Sequence, residues 1–287
     1  MNNNFIKAIA KDGMVRISAI DGTDIVNKAA KYHNTSATAS AALGRLLMAT
    51  GLIAQDFKDD FSRLTLKIQG DGPIEQLLCV GGKGFVKGYA LNPEIEMPPN
   101  AKGKLDVSGA VGKGYLYVIK DFGLKEPYIG QVPLYTGEIA EDIAYYFTVS
   151  EQINSAVGLG VLVEKDLSIK KAGGFIIQMM PDSDPLLADF ITYRIEEIPS
   201  ITKMMEDGSE IKEIIEFIFE GMDLEILDES YVDYICDCSR ERVERVLLSL
   251  GRDELLEIAG DEKDEEVVCH FCNKKYIFTP MELKNLI

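Results

Sequence analysis

Alternation of apolar and polar residues, broken by glycine, runs through the first two-thirds of the chain. Four stretches show the two-residue period of half-buried strands: Val15 to Ala19, Leu64 to Ile68, Phe85 to Tyr89 and Gly114 to Ile119. Glycine clusters at Gly70-Asp71-Gly72-Pro73, Gly81-Gly82 and Gly112-Lys113-Gly114 supply turns. Residues 36–54 are rich in Ala, Leu and Met and poor in β-branched side chains, which predicts a helix. Residues 137–147 predict a second, and a third is expected to begin near Ser150. Residues 1–180 therefore read as one mixed α/β unit.

After Pro181 the period changes. Short amphipathic helices are expected between the breakers Pro181, Pro185, Pro199 and Gly208. Ile211, Ile214, Ile215 and Ile218 fall at i, i+3, i+4 and i+7, with Glu213, Glu216 and Glu220 on other faces. A helix that short is marginal alone, so the isoleucine face needs a surface to dock on. Residues 181–230 are read as a helical linker.

Residues 231–287 form a third segment. Ser239 is placed to cap a helix from Glu241 to Leu250, ended by Gly251, and Asp253 to cap a short second one. Val267 to Phe278 suits a hairpin. Thr279-Pro280-Met281-Glu282 is a capping box with proline at the first helical position. These 57 residues hold few large apolar side chains and make a poor core by themselves. The fold class expected is α+β: an N-terminal mixed sheet-and-helix core domain, a helical linker and, because this last segment holds the paired cysteines Cys236, Cys238, Cys269 and Cys272, a small C-terminal zinc-binding domain.

The cysteines supply the missing stability. Cys236 and Cys238 are separated from Cys269 and Cys272 by 30 residues, and two close thiol pairs can surround one tetrahedral Zn²⁺. A single residue between the first pair is unusual for a structural site. Thiolates that hold zinc are also what an oxidant attacks, so the site reads as a staple, a sensor or both. His270 lies inside the second pair, but four cysteines already fill a tetrahedron, which favours a surface role. His33, near a helix start, is read as structural or solvent-facing. Cys79 in Leu77-Leu78-Cys79-Val80 is read as a buried inert thiol, and Met179, Met180, Met204, Met205 and Met222 as ordinary packing.

Composition narrows the classes. Thirty Lys and Arg against 47 Asp and Glu give a net charge of −17, which argues against nucleic-acid binding. No apolar stretch is sustained before Lys11 and Asp12, and no run of about 18 apolar residues follows, so neither a secretory signal nor a membrane span is expected. Five cysteines do not make a disulfide scaffold, and a reducing cytosol is the natural setting. Neither G-x-x-x-x-G-K-[S/T] nor G-x-G-x-x-G nor G-x-S-x-G occurs, which removes the common nucleotide-binding and hydrolase signatures.

On these residues the chain resembles the heat-shock protein 33 family, the redox-regulated holdase chaperones of the bacterial cytosol. The C-x-C-x30-C-x-x-C pattern with Tyr276 and Phe278 after it carries the resemblance. So do Leu43-Gly44-Arg45, Gly70-Asp71-Gly72-Pro73, Ser150-Glu151-Gln152, Leu159 to Val163, and Ala172-Gly173-Gly174-Phe175 with Gln178 and Pro181. Asn34-Thr35-Ser36-Ala37 departs from the Ser-Pro expected after the histidine. The resemblance implies a non-enzymatic chaperone, inactive when four thiolates hold one zinc. Oxidation would join Cys236 to Cys238 and Cys269 to Cys272, release the metal and unfold the C-terminal region. Unfolding client proteins would then bind, and the chain would form a homodimer. The alternative from the residues alone is a constitutive zinc-stapled domain that binds proteins or nucleic acid. A thiol oxidoreductase would need a βαβ context for its C-x-x-C, which the last segment lacks.

Overall fold

One helix is wedged between two sheets and is buried on every side. It runs Ala37–Ala54 (α2), and all of it but Ala37 and Arg45 is buried. A stretch apolar around its whole circumference has no solvent face to offer, so it becomes the centre of the fold. Ser36 caps it, its hydroxyl accepting from the Ala39 amide at 3.3 Å. By length and composition α2 could cross a membrane, the one described helix that could; 89% of it lies buried within the fold. The computed structural model describes residues 4–181, 183–260 and 263–286. They form two units, Met1–Tyr234 and Ile235–Ile287.

In the first unit, sheet A contains β1 (Phe5–Ala10), β2 (Val15–Asp21), β8 (Ser155–Val163), β9 (Ile169–Met179) and β10 (Glu225–Ser230). Its order is β10-β1-β2-β9-β8, antiparallel throughout. Sheet B contains β3 (Arg63–Gly70), β4 (Gln76–Gly82), β5 (Phe85–Ala90), β6 (Gly114–Asp121), β7 (Tyr128–Pro133) and β11 (Asp233–Tyr234). Its order is β11-β5-β4-β3-β6-β7, and only the β11–β5 pair is parallel. Helices α1 (Thr23–His33), α3 (Val107–Val111) and α4 (Ala140–Tyr146) complete this part. The four strands expected from alternation correspond to β2, β3, β5 and β6.

Sheet A is covered on both faces, and its register shows how. In β9, Ile176 packs into the core around α2, whereas Phe175 and Ile177 face a second core. Two buried faces need apolar residues at consecutive positions, which is why Gly174-Phe175-Ile176-Ile177 does not alternate. The second core is closed by α5 (Pro185–Glu197), α6 (Ile201–Glu206) and α7 (Ile211–Ile218).

The helix expected from Ser150 does not form. Phe147–Glu151 is a single π-helical turn, Gln152 ends it with φ 57°, and the chain enters β8. Val157, Val161 and Val163 favour a strand, and Gly158 and Gly160 disfavour a helix. A Cβ at Gly158 would stand 2.5 Å from the Phe175 ring, so close strand pairing depends on that glycine. Of the two roles expected for His33, the structural one holds: it ends α1 just before α2, is buried, and its Nε2 lies 3.4 Å from the Tyr234 hydroxyl. The departing Asn34 forms the left-handed cap between α1 and α2.

Two strands lie beyond the 1–180 stretch where sheet structure was expected. β10 adds to the edge of sheet A beside β1, and β11 beside β5, so the first unit runs to Tyr234. Adjacent Ile226 and Leu227 among acids obscure any alternation in β10. Met205 and Met222 are buried, Met179 and Met204 pack beside them, and Met180 is exposed.

The second unit contains α8 (Arg240–Leu250), α9 (Arg252–Gly260), the hairpin β12 (Glu265–Val268) and β13 (Lys275–Phe278), and α10 (Pro280–Asn285). Its core is Leu247, Leu255, Ala259, Tyr276, Phe278 and Leu283. Ser239 caps α8, and Asp253 falls within the first turn of α9 and not before it. The capping box at Thr279 and Glu282 forms as expected.

Candidate metal centre

Local backbone geometry brings two distant thiol pairs into one cluster. Cys236 and Cys238 lie on the extended segment that leads into α8, whose N-terminus is held by Ser239 accepting from the Arg242 amide at 3.3 Å. Cys269 and Cys272 lie on the turn of the β12–β13 hairpin. There the Asn273 amide donates to the Cys269 carbonyl at 2.8 Å, and the Cys269 amide to the Lys274 carbonyl at 3.0 Å. Asn273 adopts φ 55°, a conformation its short polar side chain tolerates.

The four sulfurs lie within 4.8 Å of one another. Cys236 Sγ and Cys269 Sγ are 3.7 Å apart, and Cys238 Sγ and Cys272 Sγ 3.4 Å. Metal–sulfur bonds of about 2.3 Å in a tetrahedron require sulfur separations of about 3.8 Å, so the donor set fits one ion. All four are free thiols and half-buried. His270 is exposed on the turn and is not a member of the cluster. Cys79 is buried in β4, in the other unit, and burial pushes its thiol well above the usual range.

The thiols are not equivalent. Burial opposes ionisation of Cys238, but the Tyr276 hydroxyl, donating at 3.1 Å, and the surrounding thiols outweigh it and lower it to about 7. Burial dominates at Cys236 and raises it. Burial also raises Cys272, to about 11, against a backbone hydrogen bond from Lys274. A site with one thiol ready to ionise can begin to load a metal without deprotonating all four at once.

The isoleucine face lies in the first unit. Ile211, Ile214, Ile215 and Ile218 are all buried, in the second core with Ile6, Val15, Ile17 and Phe175. Arg194 of α5 supports this helix, Nη1 donating to the carbonyls of Ile218 and Glu220 at 2.8 and 2.9 Å. Neither Arg194 nor Arg240, described below, has a periodicity or motif that would single it out in sequence.

Fold and site together define an α+β chaperone with a C-terminal four-thiol centre able to hold a metal ion. The chain belongs to the Hsp33 family: the family model described as "Hsp33 protein" matches residues 3–279. It is 57% identical over 289 residues to a "33 kDa chaperonin" of Clostridium botulinum, covering 100% of this chain and 98% of that one. A "33 kDa chaperonin" of Clostridium beijerinckii is 56% identical, with 100% and 99% covered. The crystal structure of the 33 kDa chaperonin (heat shock protein 33 homolog) from Thermotoga maritima matches with a TM-score of 0.91 at 38% identity, covering 100% and 98%. The family implies unfolded proteins as clients.

Proposed function

We propose that this chain is a redox-regulated holdase that binds unfolding proteins in the cytoplasm under oxidative stress and performs no chemical step on them. The reading divides the chain into a client-binding core (1–180), a redox-responsive linker (181–230) and a zinc-binding switch (231–287). The observation that carries it is the convergence of four thiols in a unit whose buried apolar core, among the described residues, is six side chains. Zinc held by Cys236, Cys238, Cys269 and Cys272 supplies stability that such a core lacks; apparent binding energies for small zinc domains are about 10–16 kcal/mol.

Oxidation removes that support. Cys236 with Cys238, and Cys269 with Cys272, would each give up two electrons as a thiolate pair to one peroxide, which takes two protons from solvent and leaves as two waters. All four sulfurs are near enough for other pairings, and the pairing within each close pair follows the family resemblance. Disulfides no longer offer four thiolates, so the metal leaves and the unit unfolds. Loss of order then spreads to the linker, whose isoleucine face at 211, 214, 215 and 218 lifts from sheet A and exposes apolar surface to clients. The active form is a homodimer. The acidic net charge is against nucleic acid as a partner, and no membrane role is proposed.

Zinc content measured before and after peroxide, beside suppression of aggregation of a chemically unfolded client, tests the reading. One zinc per reduced chain, its release, and suppression only after release are expected. Zinc retained through peroxide would instead make the protein a constitutively stapled interaction domain.

A further inference from the structure

We infer that Arg240 is a positioning residue that holds the two thiol pairs together and so sets how tightly the metal is bound; the inference rests on the zinc reading above. The pairs belong to segments with no sequence proximity. One leads into α8, the other is the turn of the β12–β13 hairpin. Arg240 is two residues from Cys238, yet its guanidinium reaches the segment that follows Cys272. Nη1 donates to the Ile277 carbonyl at 2.8 Å, and Nη2 to Glu282 Oε1 at 2.7 Å. Its charged carbon lies 4.2 Å from the centre of the Phe278 ring, and Nε is 3.4 Å from Glu244 on its own helix.

These partners separate Arg240 from an ordinary surface ion pair, which contributes little. Phe278 is fully buried in the unit's core, and the Ile277 carbonyl is part of the strand that leads back to Cys272. Glu282 uses its other oxygen to accept from the Thr279 amide and hydroxyl, so the carboxylate is already oriented when the guanidinium meets it. A rigid planar fork holds a carbonyl, a carboxylate and an aromatic face in one fixed arrangement, whereas an ammonium on a flexible stem is a rotatable point charge without that pre-organisation. Groups that orient ligands from outside the coordination sphere control affinity because they remove the ordering cost of binding.

The test is zinc affinity of the full-length reduced protein, measured by competition with a chromophoric chelator, together with the half-time of zinc release in peroxide. Arg240→Gln should weaken binding about 10- to 100-fold and speed release. Arg240→Lys should restore only part of the loss. Glu282→Gln should weaken binding less, and should add nothing in the Arg240→Gln background. Leu255→Ala, in the same core but on α9, is the control for general destabilisation. Unchanged affinity in Arg240→Gln overturns the inference. So does an equal loss in Leu255→Ala at matched thermal stability. A wild-type chain that binds no zinc overturns the reading beneath it, and the inference with it.

Discussion

Arg194 donates to the Ile218 carbonyl at 2.8 Å, tying the end of α7 to α5 across the second core. A carbonyl at a helix C-terminus has no partner within the helix, and a guanidinium there is favourable both as donor and as charge. The linker helices are thus joined to one another as well as packed on sheet A.

That arrangement predicts how the linker is released. Each buried isoleucine contributes roughly 1.5–3 kcal/mol, so α7 depends on its four. Ile214→Asp with Ile218→Asp places two charges in an apolar core and should undock α7 without oxidation. The expected outcome is suppression of client aggregation under reducing conditions with zinc still bound. A variant that stays inactive until oxidised, with α7 amides still protected from exchange, would show that this face does not cover the client surface. Arg194→Ala should act in the same direction but more weakly, by about 1–2 kcal/mol.

Metal content should follow the four clustered thiols alone. Cys269→Ser combined with Cys272→Ser should lose zinc, while Cys79→Ala should keep one equivalent. Atomic absorption on the reduced, gel-filtered proteins reads both directly. Zinc lost from Cys79→Ala would contradict the placement of that thiol in β4, in the other unit.

Redox state should divide the chain by its protection. In the oxidised protein, amides of α7 and of α8 should exchange faster than in the reduced form. Those of β3, β4 and β6 should stay protected, because they belong to the core around α2 and need no metal. Equal protection of α7 in both forms would rule out the linker as the responsive element.

The first unit carries its own acid sensitivity. Glu151 accepts from the Tyr146 hydroxyl at 2.6 Å and from Lys120. Burial raises its carboxyl, but these two partners outweigh burial and hold it below its ordinary value of 4.5. A folded value below the unfolded one contributes stability that is present above about pH 4.5 and lost as pH falls through the depressed folded value. Denaturant unfolding of Lys120→Met should show a loss of about 2 kcal/mol near neutral pH, shrinking as the pH drops below that window. A loss independent of pH would mean that packing, and not the charge on Glu151, is what Lys120 supports.

Local signals were sufficient wherever one element answers to one environment. α2 is apolar all round, α7 has one isoleucine face, α8 and α10 carry their caps, and the hairpin places its cysteines on the turn. The paired cysteines announced the cluster for the same reason: short spacing confines sulfurs whatever the fold around them. What depended on tertiary structure were positions whose partners are remote. The helix expected from Ser150 gives way to β8 because the pairing of β8 with β9, and the close approach at Gly158, lie outside any local window. β10 is a strand because β1 offers it an edge, not because its own residues alternate. The crossing of Cys236 toward Cys269 and of Cys238 toward Cys272, and the reach of Arg240 to Glu282, join groups more than 30 residues apart. Periodicity records which face of an element is buried; which element buries it is set by long-range packing, and that only the folded chain decides.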